Sequence, residues 1–341
     1  MARSLYLDML KGLGIILVVL FHTVAWNSNQ DTAAGSYLLN ALMPMLMPTF
    51  FGISGFLLYS SRIEKSGQWI WDKTKFLMVP HFAIDFLVYF FGLVGVNRAA
   101  FDIHSTGFLD WLYKSVIRDD GDWFCWAFFF VLLLMLIIKK NDGNKKFWPV
   151  IIGLLLIVTL SPGTPEWMHT VHIQWYFPFS VAGYLLARYW PLIKESAKIF
   201  AYSGAVIYIP YLFMTGWKGA FVARPMLDNY YWIAAGRPLE GPMIFFQSIF
   251  GVGLLVSVVY WLSKVKVFSR LAFFGRYSFV IYILQGLLLV GFSLGTSGIG
   301  QALVFVWTLA LCVSLILLFR RMGVLSRWVP PALAKKPVRT A

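Results

Sequence analysis

Apolar residues along this chain gather in long unbroken runs. Ten such runs stand out, at about 5–26, 36–60, 76–96, 123–138, 147–161, 173–189, 198–214, 242–262, 272–294 and 301–319. Crossing the hydrocarbon of a bilayer takes about 20 mostly apolar residues in a helix. Stretches such as FLVYFFGLVGV and WTLALCVSLILLF are apolar on every side, the pattern of helices surrounded by apolar material all round. Membrane strands would instead leave short alternating segments. The pattern predicts an all-α polytopic transmembrane helical bundle of about ten spans.

The segments between the runs alternate in character. One set reads RIEKSGQWIWDKTK, KKNDGNKK, KESAK, KVKVFSR and the tail from Arg320 onward; the other holds NSNQDTAAG, SPGTPEWMHTVH and the long stretches near 97–122 and 215–241. Of 29 Lys and Arg, 21 fall on the first side and 6 on the second, with Lys11 and Arg276 inside or at the edge of runs. Basic residues collect in cytoplasmic loops, so both termini are expected in the cytoplasm. The expected organisation is a transmembrane domain over 1–321 and a basic cytoplasmic tail over 322–341, lying on the anionic inner leaflet.

Composition agrees with that picture. Of the 341 residues 59% are hydrophobic and 13% charged, with a mean hydropathy of +0.72, whereas soluble chains run about 25% charged. The net charge of +14 follows from the cytoplasmic bias and gives no ground for nucleic-acid binding. Cys125 and Cys312 each lie inside an apolar run and are expected as packed thiols. There is no CxxC pair, no metal-ligating constellation and no internal repeat. The first run lacks a small-residue cleavage site after it, so a cleavable signal peptide is not expected.

The first run carries the most chemistry. Asp8, Lys11 and His22 all sit on it. Eleven residues at 100° each come within about 20° of three full turns, so Lys11 and His22 share a face, roughly 16 Å apart along the axis. Asp8, three residues before Lys11, is placed to pair with it. Ionisable groups at such depth are costly and by default mark a functional cavity. Gly12 and Gly14 permit close approach of another helix. In the second run, Pro44, Pro48 and the small segment GISG are expected to interrupt the helix. Lys73 and Lys75 precede the third run, at its cytoplasmic mouth.

Four stretches, in order, resemble the acyltransferase-3 family of integral membrane acyltransferases, in particular its branch related to sugar O-acetylases. LDMLKGLGIILVVLFHT is similar to the family's first helix, a basic residue followed after ten positions by histidine. MPTFFGISGFLLYSSR resembles its second-helix pattern, DKTKFLMVPHF its basic entry into the third helix, and FFGRYSFVIYILQ its late-helix pattern. Lysine stands at position 11 where many members have arginine, and Gln285 stands where the late pattern has histidine.

The resemblance implies transfer of an acyl group, acetyl above others, from cytoplasmic acyl-CoA to a hydroxyl of a cell-envelope glycan or glycolipid, in the cell membrane. Removing the proton of an attacking hydroxyl suits histidine, whose unperturbed pKa is about 6.5. His22 is therefore the expected base, with Lys11 and Asp8 in an electrostatic role beside it. Arg62, Lys73 and Lys75 are expected to meet the phosphates of the donor, and Ser278 and Tyr282 to line its path. Trp123, Glu166, His172, Arg237 and Glu240, with His169 and Arg224, are available to the acceptor on the outer side. The rival reading is a transporter or flippase of a lipid-linked sugar that uses His22 and Lys11 as substrate or proton-relay groups.

Overall fold

The structure is a computed structural model and describes residues 4–27, 33–93, 107–116, 123–160, 170–214, 240–291 and 298–323. Every regular element among the described residues is helical. These are α1 (Leu5–Asn27), α2 (Ala33–Ser60), α3 (Ser66–Leu93), α4 (Phe108–Val116), α5 (Trp123–Asn141), α6 (Phe147–Leu160), α7 (Thr170–Met214) and α8 (Glu240–Ser263). A 3-10 turn (Lys266–Arg270), α9 (Leu271–Arg276), α10 (Ser278–Gly291) and α11 (Gly298–Arg321) complete the order.

Four segments are long and apolar enough to cross a membrane: Leu5–Ala25, Ala41–Ser60, Trp123–Asn141 and Gly298–Arg321. A fifth joins them if Gln247–Ser263 and Lys266–Arg276 count as one broken span. The expected elements shift in four places. α3 begins at Ser66, ten residues before its apolar run, and α4 forms within the stretch expected to be a loop. The ninth run is split at Tyr277 into α9 and α10. The sixth and seventh runs form one helix of 45 residues, with KESAK inside it and not in a loop. Lys, Glu and Ala are good helix formers, so a dip in hydropathy there does not by itself end a helix. At 1.5 Å per residue α7 has a contour of about 68 Å, more than twice a hydrocarbon core of about 30 Å.

Two compact units emerge, one made of residues 1–35 and 258–341, the other of 36–257. In the first, α1 packs chiefly against α9, with α10, α11 and the 3-10 turn around it. The crossing of α1 and α9 is backbone on backbone. A Cβ at Gly12 would lie 1.9 Å from the Leu271 carbonyl oxygen, and one at Gly275 would lie 1.7 Å from that of Asp8. Ile15, Val18, Val19, Ile281 and Cys312 are buried in this unit.

In the second unit α5 packs on α7 and α3, and α6 on α7. α2 meets α7 along a small-residue seam: a Cβ at Gly55 would lie 1.8 Å from the Ser180 carbonyl, and one at Gly183 would lie 1.9 Å from that of Gly52. Ser180 Oγ donates to the Phe51 carbonyl at 3.0 Å. The expected interruption of α2 does not occur, since the helix continues through Pro44, Pro48 and GISG. Near the prolines, Tyr208 Oη donates to the Ala41 carbonyl at 2.8 Å and Thr49 Oγ1 to that of Met45 at 2.5 Å. The carbonyls that lose their regular donors to Pro44 and Pro48 are those of Asn40 and Pro44, each one residue before a carbonyl that these hydroxyls reach. At one end of this unit Arg188 pairs with Asp142, and its guanidinium stands 5.0 Å from the Trp148 ring centroid.

Gly275→Val should lower the thermal midpoint of the detergent-solubilised protein by the equivalent of about 1–3 kcal/mol or more, because its side chain meets backbone that cannot yield. Gly286→Ala, on α10, meets nothing within 4 Å and should be neutral or stabilising by up to about 1 kcal/mol. A melting series on the two variants checks both.

Candidate functional site

The first unit brings together residues that lie far apart in the chain. On α1, Lys11 Nζ lies 3.1 Å from Asp8 Oδ1, the pairing expected from their spacing. From α9, Arg276 Nε reaches Asp8 Oδ2 at 3.7 Å. One carboxylate, its side chain 3% exposed, thus faces two cations that are 18% and 32% exposed. A lone buried carboxylate is strongly disfavoured in a low-dielectric setting, and flanking cations that keep partial contact with solvent offset that cost. The glycine crossing seats Arg276 for the trio, because its neighbour Gly275 lies directly against the Asp8 backbone.

Farther along α1, His22 Nδ1 stands 2.6 Å from Gln285 Nε2 of α10. Gln285 is 1% exposed. The Tyr282 ring lies 6.3 Å from the imidazole, and Ser278, one turn before it, is half-buried on the same helix. A histidine fixed at one ring nitrogen has its ring orientation set, and its other nitrogen can exchange a proton. The sequence marks Gln285 only as a departure from the family's late pattern and Arg276 only as a cation at the edge of a run, with no role for either. The glycine before Arg276 in FFGRYSF was the available signal, since it permits the crossing that delivers the guanidinium.

The second unit holds the expected donor residues and part of the acceptor set. Lys73 Nζ lies 5.6 Å over the Trp69 ring. Burial pushes its pKa below the ordinary lysine value, with Asp72 acting in the opposite direction. Lys75 pairs with Asp72 at 3.4 Å and lies 5.5 Å over Trp71. Arg62 is exposed in the link between α2 and α3. Each lysine is therefore engaged by its own helix.

Trp123 and His172, expected at the acceptor, stack at 4.1 Å with 15° between their planes. The stack continues through Tyr176, 5.4 Å from Trp123, to Phe51, 4.7 Å beyond. Trp123, half-buried, is the least enclosed member. Glu240 opens α8, while Glu166, His169, Arg224 and Arg237 lie outside the described residues. A further pair went unnoticed in the sequence: His81 Nε2 lies 3.5 Å from Asp85 Oδ2, one turn apart on α3 and both buried. Trp111 Nε1 of α4 donates to the Asp85 carbonyl at 3.2 Å. Cys125 and Cys312 are both buried thiols.

Residues 4–320 match the acyltransferase-3 family model, described as an acyltransferase domain. Comparison with curated proteins and comparison with solved structures each gave no match.

Asp8→Asn should leave Lys11 and Arg276 facing each other across a neutral amide. The expected loss is on the order of 3 kcal/mol, as for breaking a buried ion pair. Adding Lys11→Met should recover part of it, and a double-mutant cycle on melting measures the coupling.

Proposed function

Because the chain belongs to the acyltransferase-3 family, we propose that it is a membrane O-acyltransferase that moves an acyl group, acetyl in this reading, from cytoplasmic acyl-CoA to a hydroxyl of a cell-envelope glycan or glycolipid. In this reading it crosses the cell membrane about ten times with both termini in the cytoplasm. Residues 1–321 are the membrane domain and 322–341 a basic tail on the inner leaflet. The observation that carries the proposal is the pair of buried polar stations on α1, the ionic trio around Asp8 and the imidazole of His22 held by Gln285. Two such stations on one apolar helix are costly without a use for them.

The chemistry divides between them. The acceptor hydroxyl gives its proton to His22 as its oxygen forms a bond to the thioester carbon. The carbon–sulfur bond then breaks, and the departing thiolate takes the proton from the imidazolium, so that the base is regenerated. Lys11 and Arg276 outnumber Asp8 and leave a net positive field that suits the anionic donor. Arg62, Lys73 and Lys75 receive the donor's phosphates through charge-assisted contacts, and Ser278 and Tyr282 line its path. The broad stack ending at Trp123 offers an aromatic plate for a sugar ring, with Glu166, Arg237 and Glu240 supplying hydrogen bonds.

His22→Ala should reduce acyl transfer from labelled acetyl-CoA by about 10²–10⁴-fold, the usual contribution of a general base, with unchanged abundance in the membrane. Retained transfer removes His22 from the role. The double variant Lys73→Ala/Lys75→Ala should weaken acyl-CoA binding about ten- to hundredfold, as expected for two charge-assisted contacts of about 0.7–1.5 kcal/mol each. Equilibrium binding to the solubilised protein measures this, and an unchanged affinity sinks the assignment. Mass spectrometry of envelope glycans and glycolipids with and without the protein identifies the acceptor by its lost acyl mass.

A further inference from the structure

We propose that Gln285 is the positioning residue that selects the tautomer of His22, and that the catalytic state has the amide oxygen, not the amide nitrogen, against Nδ1. This rests on His22 being the base. Gln285 Nε2 faces His22 Nδ1 at 2.6 Å, while Gln285 Oε1 is buried without a hydrogen bond. An amide nitrogen can only donate. In that arrangement Nδ1 accepts, and a neutral imidazole carries its proton on Nε2. The ring nitrogen left for chemistry then holds a proton and cannot take one.

A half-turn of the amide exchanges two groups of nearly equal size and shape. It brings Oε1 onto Nδ1, where it accepts from Nδ1–H and so puts the ring's lone pair on Nε2. Orienting a histidine through the nitrogen not used in chemistry is a general way of fixing a base. Glutamine performs it here without adding a charge. Once turned, the same contact also serves both directions of the proton transfer. The amide oxygen steadies the base and also the imidazolium formed after attack, since both carry Nδ1–H.

Gln285 is a neutral partner for the imidazole. Around α1, charged residues on the packed elements are Lys266 and Arg270 on the 3-10 turn, Arg276 on α9, none on α10, and Arg320 and Arg321 at the far end of α11. On α1 itself Asp8 and Lys11 lie roughly 16–21 Å away along the axis. The titratable ring beside His22 is Tyr282, at 6.3 Å.

Three substitutions and one spectrum test the inference. Gln285→Leu removes both partners of Nδ1. It should lower kcat at least tenfold with little change in the KM for acyl-CoA. Gln285→His, which can accept from Nδ1–H, should retain most of the rate. Gln285→Glu can accept but not donate while ionised. It should lock Nδ1–H and favour the imidazolium, moving the acidic limb of the pH–rate profile to higher pH. Histidine-selective ¹⁵N spectra in nanodiscs report the tautomer without reference to activity, the His22 signals being those lost in His22→Asn. Gln285→Glu should show a protonated Nδ1, and Gln285→Leu a shifted tautomer ratio.

An inactive His22→Ala together with a Gln285→Leu variant of unchanged kcat and unchanged spectrum overturns the inference and leaves the base in place. Full activity of His22→Ala overturns both. A Gln285→Leu variant whose kcat falls while the His22 spectrum is unchanged also overturns it, because its effect would then be structural.

Discussion

Lipid tails are as apolar as leucine, so the force that gathers helices in water is missing within a bilayer, and fit and polar contacts must hold them together. For α1 and α9 that means two glycines. Their crossing leaves no room for a single methyl group on either side. From that contact follow the reach of Arg276 to Asp8 and, with Lys11 already one turn away on α1, the neutralisation that lets Asp8 remain buried. The cost of burying charge is met locally, by geometry that only backbone contact allows.

α1 then works as a spine. Its cytoplasmic end, in the proposed orientation, carries the ions, and the far portion carries a neutral but polar pair. Between them run Ile15, Val18 and Val19, all buried and apolar. Distance, and not the apolar path, keeps their coupling small: two unit charges roughly 16 Å apart interact by about 1 kcal/mol at an effective dielectric of about 20, and Asp8 offsets part of the charge of Lys11. In the proposed function, a division of labour along one helix gives a use to the three ionisable groups that Asp8, Lys11 and His22 put on the first run.

Much of this was legible in the sequence where information is local. The bounds of α1, α2, α5, α6 and α11 follow the apolar runs to within a few residues, and the Asp8–Lys11 pair follows from helical spacing. What stayed hidden was of two kinds. Hydropathy reports the surroundings of a residue, not the continuity of its helix. It therefore read the polar middle of α7 as a loop and the prolines of α2 as an interruption. Contacts across the chain leave no periodic trace. His22 and Gln285 are 263 positions apart, and nothing near either residue signals the other. Arg276 was seen as a cation at the edge of a run, since its partner lies at the opposite end of the sequence. The stacking of Trp123 on His172 belongs to the same class, although both residues had been chosen for their chemistry.

The seam between α2 and α7 limits how the second unit can move. Gly52, Gly55, Ser180 and Gly183 leave the two backbones touching, while Phe51 and Phe56 stand as bulky stops beside the narrow steps. Sliding one helix by a turn would drive a phenyl ring into a carbonyl. The pair therefore has one register and travels as a single rod. Any gate in this unit has to hinge outside it.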